Sequence, residues 1–142
     1  MNIFISFAYT GTNIKQTHAR LKNIVSLVNK TNNFAYCNLF DKSIINSIKN
    51  NNTKQIFIDT FKEESKADYI FIIISKPKIS HGQCMEIGVA VNLDIPIIIF
   101  EQTSVKEQTY IENFAKHIYR WSSEENLYQQ ISKAIKILNP RN

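Results

Sequence analysis

A run of apolar residues near the middle of the chain restricts the possible folds more than any other feature of the sequence. The stretch DYIFIII, residues 68–74, contains six consecutive apolar or aromatic residues with no polar residue among them. A strand with one face in water alternates polar and apolar residues, whereas an unbroken run indicates burial on both faces, as in a parallel sheet covered by helices. The run therefore predicts a central strand of an α/β protein.

The rest of the chain alternates short apolar runs with longer stretches of helical period. Further strands are predicted at residues 3–9, 34–40, 95–100 and 116–121, and helices at 14–30, 54–65, between 80 and 95, at 106–114 and after Ser122 or Ser123, with a polar loop around a short helix at 41–52. This order indicates a three-layer α/β domain of the flavodoxin-like or Rossmann-like kind with a five-stranded parallel sheet. Because 142 residues with 44% apolar content can bury one core, residues 1–142 are predicted to form a single domain.

Composition argues against several classes of function. The net charge is +5, but the 17 lysines and arginines are scattered singly and do not cluster with aromatic residues, which argues against nucleic-acid binding. No apolar run approaches the roughly 20 residues of a membrane helix, and the first residues lack the charged start of a signal peptide, so a cytoplasmic protein without a membrane partner is expected. Cys37 and Cys84 show no metal-ligand spacing and are expected to be reduced core thiols.

In a parallel sheet of this kind, ligands bind beyond the carboxyl ends of the strands. Three loops follow strands at that edge: residues 9–13, 75–82 and 101–106. Glu86 comes at the start of the helix after the second loop, so its carboxylate is expected to point into the crevice. The positive end of the helix dipole is expected to favour the ionised form of this acid.

Glu86 belongs to a short pattern, S-x-G-x-x-x-E-x-G, formed by Ser80, Gly82, Glu86 and Gly88. Gly82 would allow close approach of a ligand to the backbone. A glycine inside a helix costs about 1 kcal/mol relative to alanine, so Gly88 is expected to mark a crowded point or room for a ligand. The helix dipole alone would explain an acid at this position, but the glycines around it favour a ligand site.

The segment ADYIFIIISKPKISHGQCMEIGVAVNLDIPIIIF, residues 67–100, resembles the core of the nucleoside 2-deoxyribosyltransferase superfamily, in its branch of 2'-deoxynucleoside 5'-phosphate N-hydrolases. The stretch IYRWSSEENLYQQI is similar to that family's closing strand and final helix. The resemblance implies that Glu86 attacks the anomeric carbon of a deoxyribosyl group and releases the base of a nucleoside or nucleotide. It also implies a homodimer, and the chemistry requires no metal or cofactor.

The resemblance also implies roles for other residues. Ser80 and the Gly82 amide would contact the 5'-phosphate or the sugar, and Asp59 is the nearest match, one position away, to a second catalytic acid. Tyr9 and Gly11 would line the pocket from the first loop, and Thr109 or Tyr110 would reach the site of a partner subunit. The first loop lacks the arginine that phosphate-handling members carry, so both phosphorylated and unphosphorylated substrates remain candidates.

Two alternative functions fit the sequence. The stretch IFISFAY also resembles the first strand of TIR domains, in which a helical acid serves cleavage of the glycosidic bond of NAD. A non-catalytic nucleotide sensor is the other alternative, because a fold does not determine a function.

Overall fold

The computed structural model describes residues 1–9, 11–75, 79–105 and 109–139, with only the backbone of Thr109. The strands are β1 (Asn2–Phe7), β2 (Phe34–Tyr36), β3 (Tyr69–Ile74), β4 (Ile97–Gln102) and β5 (Ala115–Trp121). The helices are α1 (Ile14–Asn29), α2 (Lys42–Lys49), α3 (Thr53–Glu64), α4 (His81–Asn92), α5 (Thr109–Glu112) and α6 (Glu124–Leu138), with a 3-10 turn at Asn38–Phe40. All strand pairs are parallel, in the order β2-β1-β3-β4-β5. This is the flavodoxin-like order, and it confirms the predicted five-stranded parallel sheet.

Strand β3 lies at the centre of the sheet, as its unbroken apolar run predicts. It pairs with β1 on one side and β4 on the other, so that Phe71 stands between Ile5 and Ile98. The residues from Ile70 to Ile74 are all buried. The strand is apolar throughout because helices cover both of its faces.

Alternate residues of the strands supply two separate apolar layers. One layer packs against α1 and α6, and its strand residues include Ile3, Ile5, Phe71, Phe100 and Trp121. The other packs against α4 and α5, and its strand residues include Phe4, Ile70, Ile72, Ile97 and Ile99. Because side chains alternate along a strand, Ser6 shares the second face with Phe4. The sheet therefore presents a buried hydroxyl toward the side of α4.

Side-chain caps stabilise the first turns of helices that begin at the carboxyl edge of the sheet. Asn13 accepts a hydrogen bond from the Gln16 amide at 3.1 Å, and Asp41 accepts one from the Ser43 amide at 2.8 Å. Such caps satisfy amides that the first turn of a helix leaves without partners. Within the described ranges, no helix has both the length and the hydropathy that crossing a membrane requires.

Several predicted boundaries and environments were wrong. Strand β1 ends at Phe7 rather than at residue 9, and β4 runs to Gln102 rather than to residue 100. Strand β2 covers three residues instead of seven, because the chain turns into the 3-10 turn, where the Phe40 amide donates to the Cys37 carbonyl at 3.0 Å. Cys37 is buried as expected, but Cys84 lies on the exposed side of α4. Residues 106–108 of the predicted fifth helix lie outside the described residues.

Replacement of Ile72 by alanine tests the importance of the central strand. We expect Ile72→Ala to lower the free energy of unfolding by roughly 2–5 kcal/mol, because the side chain is fully buried and its removal leaves a cavity. Urea denaturation measures this change. The matched control is Ile137→Ala on the outer side of α6, where the side chain is 51% exposed and the expected change is within about 0.5 kcal/mol. Equal losses in the two variants would contradict the assignment of β3 as the core strand.

Candidate active site

Glu86 lies in the second turn of α4 and is buried, with 8% of its surface exposed. Its Oε2 atom accepts a hydrogen bond from Ser6 Oγ at 2.5 Å. Helix α4 packs against β1, and the alternation of β1 turns Ser6 toward that helix. Among the described residues, no lysine, arginine or histidine forms an ion pair with Glu86. The acid is therefore held by a hydroxyl rather than by a positive charge.

Burial raises the pKa of Glu86 to about 7, and the hydrogen bond from Ser6 opposes part of that rise. The expectation that the helix N-terminus favours the ionised form of this acid was wrong. The helix begins at His81, so Glu86 is its sixth residue and lies beyond the first turn, where the dipole acts. Loss of water around the carboxyl dominates instead. The group consequently changes protonation near neutral pH, as catalytic acids and nucleophiles often do.

A second carboxyl group, that of Glu64, was missed by the sequence analysis. Glu64 ends α3 and has 0% of its surface exposed. Within the described part of the chain, neither of its carboxyl oxygens has a hydrogen-bond partner. Burial and, to a smaller extent, the negative charge of Glu86 together raise the pKa of Glu64 to about 8. The two acids therefore influence each other electrostatically.

Other polar groups continue this buried region. Thr60 lies one turn before Glu64 on the same face of α3, and its Oγ1 accepts a hydrogen bond from Asn38 Nδ2 at 3.1 Å. The Oδ1 atom of Asn38 is buried without a partner among the described residues. We call Ser6, Asn38, Thr60, Glu64 and Glu86 the buried polar cluster. Its unpartnered acceptors are suited to hydroxyl donors such as those of a sugar, since buried polar groups are normally hydrogen-bonded.

Asp59, the predicted second catalytic acid, is not part of this cluster. Its Oδ1 accepts a hydrogen bond from Gln55 Nε2 at 2.7 Å, and its Oδ2 accepts one from Ser43 Oγ at 3.4 Å. Consecutive helical residues point about 100° apart, so Asp59 and Thr60 cannot face the same neighbour. Thr60 faces the interior, whereas Asp59 is half-buried and turned toward α2. The catalytic role of Asp59 stays a prediction.

The S-x-G-x-x-x-E-x-G pattern has a structural function that the sequence analysis did not anticipate. The Ser80 oxygen accepts a hydrogen bond from the Gln83 amide at 3.1 Å, and the Gln83 side chain accepts one from the Ser80 amide at 3.2 Å, which forms a capping box at the start of α4. Gln83 also donates to the Ile73 carbonyl at 3.2 Å. These bonds fix α4 to the end of β3 and so fix the position of Glu86.

The two glycines of the pattern are not crowded by atoms of the described residues. Among these atoms, a methyl group added to Gly82 would meet only the Ser80 oxygen at 3.8 Å, an ordinary contact distance. One added to Gly88 would meet no atom of the described residues within 4 Å, so the expectation of crowding at Gly88 was wrong for that part of the chain. Gly88 instead lines two apolar surface cavities on the outer side of α4.

The first loop borders a polar cavity of about 270 Å³ at the carboxyl edge of the sheet, lined by Gly11, Thr12, Asn13, Gln16, Thr17, Arg20, Ser75 and Gln102. Gly11 has a φ of 70°, a backbone conformation that favours glycine. Tyr9 is 43% exposed and makes an edge contact with Phe7. Arg20, which the sequence analysis did not consider, reaches the cavity from α1. Its charge is balanced, because it forms a bidentate ion pair with Glu124.

Tyr110 lies on the outer side of α4 rather than beside Glu86. Its ring is 58% exposed, and its hydroxyl is 3.8 Å from Cys84 Sγ. Together with Ile111 and Phe114 of the same segment, it borders an apolar cavity of about 250 Å³. Thr109 begins the same helix, α5. Among the described residues, no three His, Cys, Asp or Glu side chains are grouped so that they could hold a metal ion.

Comparison with known proteins shows similarity in structure alone. No family model matches the sequence, and no curated protein matches it. The CMP N-glycosidase BcmB of Clostridium botulinum is similar over 94% of this chain and 99% of its own, with a TM-score of 0.67 and 13% identity. A 2-deoxyribosyltransferase of Bacillus psychrosaccharolyticus is similar over 93% and 90%, with a TM-score of 0.67 and 11% identity. A CheY-like receiver domain of Methanospirillum hungatei JF-1 covers 99% and 98%, with a TM-score of 0.51 and 8% identity.

These structures share the α/β architecture of this chain at identities of 13%, 11% and 8%, and the similarity is one of fold. The structural similarity to an N-glycosidase and a deoxyribosyltransferase extends over almost the whole chain. The resemblance noted in the sequence is therefore confirmed at the level of structure.

Removal of the Ser6 hydroxyl tests the electrostatics of the site. We expect Ser6→Ala to raise the pKa of Glu86 above its value of about 7, because the hydrogen bond from Ser6 stabilises the ionised carboxyl. Carbon-13 NMR of labelled glutamate carboxyls, followed over a pH titration, measures the change. Ser132→Ala is the matched control, since that hydroxyl donates to the Tyr128 carbonyl of its own helix. An unchanged Glu86 titration in Ser6→Ala would refute the proposed contact.

Proposed function

We propose that this protein is an N-glycosidase that cleaves the bond between sugar and base in 2'-deoxynucleosides or their 5'-monophosphates, with Glu86 as the nucleophile. The observation that carries the proposal is a buried carboxyl group with no counter-ion among the described residues, held by a single hydroxyl from the central part of the sheet. Structural similarity to a CMP N-glycosidase and a 2-deoxyribosyltransferase supports the same class of reaction.

The reaction proceeds in two steps at C1' of the sugar. An oxygen of ionised Glu86 attacks C1' and forms a glycosyl ester, while the bond from C1' to the base nitrogen breaks and its electron pair leaves with the base. The base then takes a proton from water. In the second step a water molecule attacks C1', the ester bond breaks, its electrons return to Glu86, and a proton passes to solvent. A second base in place of that water would give transfer instead of hydrolysis.

The environment of Glu86 favours this chemistry. The sugar develops positive charge at C1' as the base departs, and a carboxylate beside it stabilises that charge. Glu86 is buried, and the low polarity of a buried position strengthens the attraction between the two charges. With a pKa of about 7, a large part of the Glu86 population is ionised at neutral pH. The Ser6 hydroxyl fixes one oxygen and leaves the other free to attack.

The polar cavity at the first loop is the proposed site for the rest of the substrate. It offers amides of the α1 N-terminus and hydroxyls of Thr12 and Thr17. Tyr9, exposed in the same loop, is proposed to stack on the base. Ser80 and the Gly82 amide are proposed to contact the sugar or the 5'-phosphate from the start of α4. Because the charge of Arg20 is balanced by Glu124, the cavity suits an uncharged 5'-hydroxyl as well as a phosphate.

We propose further that a second copy of the chain covers the outer side of α4. Helix α4 carries apolar residues on its exposed side as well as on its buried side, and an exposed apolar surface of this kind is typical of a contact with another protein. Its outer residues Met85, Val91 and Leu93 are exposed, as are Tyr110 and Phe114 nearby. The two cavities beside Gly88 form a continuous apolar surface with these residues. A symmetric dimer would bury this surface and bring Thr109 and Tyr110 toward the partner's site.

Replacement of the proposed nucleophile is the direct test of activity. We expect Glu86→Gln to reduce base release by about 10³-fold or more, because the amide cannot form the glycosyl ester. The protein is incubated with deoxynucleosides, deoxynucleoside monophosphates, CMP and NAD, and free base is measured by chromatography. The matched control is Glu125→Gln, at an exposed position in the first turn of α6.

The panel of substrates separates the possible outcomes. Release from deoxynucleosides or their monophosphates by the wild type and by Glu125→Gln, but not by Glu86→Gln, supports the proposal. Release of nicotinamide from NAD alone would favour a TIR-like activity instead. Full activity of Glu86→Gln would remove the nucleophile assignment.

The proposed dimer is tested by sedimentation. We expect the wild type to sediment as a dimer and Val91→Lys to sediment as a monomer, since a charge at the centre of an apolar interface is costly to bury. Ile137→Lys places the same charge at an exposed position on α6 and serves as the control. A wild type that is monomeric at micromolar concentration, or a Val91→Lys variant that is still dimeric, would contradict this assembly.

A further inference from the structure

The inner face of α3 has an unusual composition for a helix that packs into a core. Its two fully buried residues are Thr60 and Glu64, whereas Ile58 is exposed and Phe57 and Phe61 are only half-buried. Packing alone would favour the opposite arrangement, because a buried carboxyl without hydrogen-bond partners destabilises a fold. The position of Glu64 beside the site therefore requires a reason beyond core packing.

The two buried acids differ in what surrounds their carboxyl groups. Glu86 receives a hydrogen bond from Ser6, which stabilises its ionised form. Glu64 receives none from the described residues, so nothing there stabilises its negative charge. When two nearby carboxyl groups cannot both ionise easily, the one with the better hydrogen bonding loses its proton first.

We propose that Glu64 keeps its proton while Glu86 ionises, and that it acts as a positioning residue which holds the acid pair at a single negative charge during the reaction. This inference rests on the proposed function and adds to it a second acid that is distinct from Asp59. Glu64 does not attack the substrate. It acts through Glu86, by providing a neutral neighbour in place of a second anion.

The titratable groups around Glu64 are neutral or already paired, so they do not change which of the two acids is ionised. On its own helix, Glu63 pairs with Lys66, and Asp59 is bonded to Gln55 and Ser43. On α4 the neighbour is Glu86. After β2, burial raises the pKa of the Cys37 thiol to about 12, so the thiol stays neutral.

Nearby elements supply no compensating positive charge to the pair. The two lysines of α2, Lys42 and Lys49, are exposed. Tyr36, at the end of β2, donates its hydroxyl to Asp41 at 2.7 Å. Within the described residues, neither acid of the pair has an ion-pair partner. A second ionisation would therefore place two uncompensated negative charges in one apolar region.

The pair has a predictable effect on stability. Both acids have folded-state pKa values, about 7 and about 8, above the value of 4.5 expected in the unfolded chain. Between pH 4.5 and about pH 8 the folded protein binds more protons than the unfolded one. The free energy of unfolding therefore falls as pH rises and levels off above about pH 8. The same second ionisation is expected to lower activity at alkaline pH.

The decisive experiment is a carbon-13 titration of glutamate carboxyls in the wild type, Glu64→Gln, Glu86→Gln and the control Glu63→Gln. In the wild type, Glu86 should titrate before Glu64. Glu86→Gln should lower the midpoint of Glu64, because it removes the neighbouring charge, whereas Glu64→Gln should leave Glu86 near its wild-type midpoint. Glu63→Gln should change neither. The inference is overturned if Glu64 ionises first or if Glu86→Gln leaves its midpoint unchanged.

Activity provides a second measurement. The rate of base release by the wild type should fall above about pH 8, whereas Glu64→Gln should lose this alkaline decline. A purely structural residue would change the rate equally at every pH, and that result, or an alkaline decline retained in Glu64→Gln, would overturn the inference.

The two proposals can fail separately. Titration as expected with no base release from any substrate would refute the N-glycosidase function while supporting the order of ionisation. Base release that depends on Glu86, combined with titrations of Glu64 and Glu86 that are independent of each other, would refute the role of Glu64 alone. The titration of Glu86→Gln retains Glu64 and so remains informative even if Glu64→Gln fails to fold.

Discussion

The hydrogen bond between Ser6 and Glu86 is the interaction on which the rest of the site depends. A carboxyl group in an apolar layer must be paired, hydrogen-bonded or neutral, because a bare buried charge is strongly unfavourable. Here one hydroxyl on the central part of the sheet provides the only hydrogen bond to that carboxyl within the described residues. The bond also joins residues 80 positions apart, so it couples the position of α4 directly to the sheet.

The register of the sheet determines that this bond can form. Along β1, Phe4 and Ser6 face α4 while Ile3 and Ile5 face α1. A shift of one residue would exchange the two faces and present an isoleucine to Glu86. The pairing of β1 with β3, in which Ser6 stands opposite Ile72, therefore fixes the chemistry of the site as well as the core. The capping box at Ser80 and Gln83 then sets where α4 begins, and so which of its residues reaches Ser6.

The fold was largely predictable because its strongest constraint is local. The six apolar residues of β3 indicate burial on both faces without any knowledge of their partners. Strand β2 was overextended because FAYCNLF is apolar enough for a strand, whereas the chain leaves the sheet after Tyr36 and forms the 3-10 turn at Asn38–Phe40. Glu86 was singled out as a candidate because it follows a strand at the carboxyl edge of the sheet. Glu64 was not, because its burial follows from the packing of α3 against α4, and its sequence neighbours, Glu63 and Ser65, are ordinary polar residues at the end of a helix.

The architecture alone does not determine the function, since the same arrangement of strands supports unrelated activities. In this chain two acids on two different helices, Glu64 and Glu86, are both buried, and the negative charge of Glu86 raises the pKa of Glu64. Each lowers the stability of the folded state near neutral pH, because each would be ionised at lower pH in the unfolded chain. The apolar layers around β3 are extensive enough to offset such a local loss. The proposed reaction accounts for the retention of both groups despite that loss, because it needs one of them ionised and the other neutral.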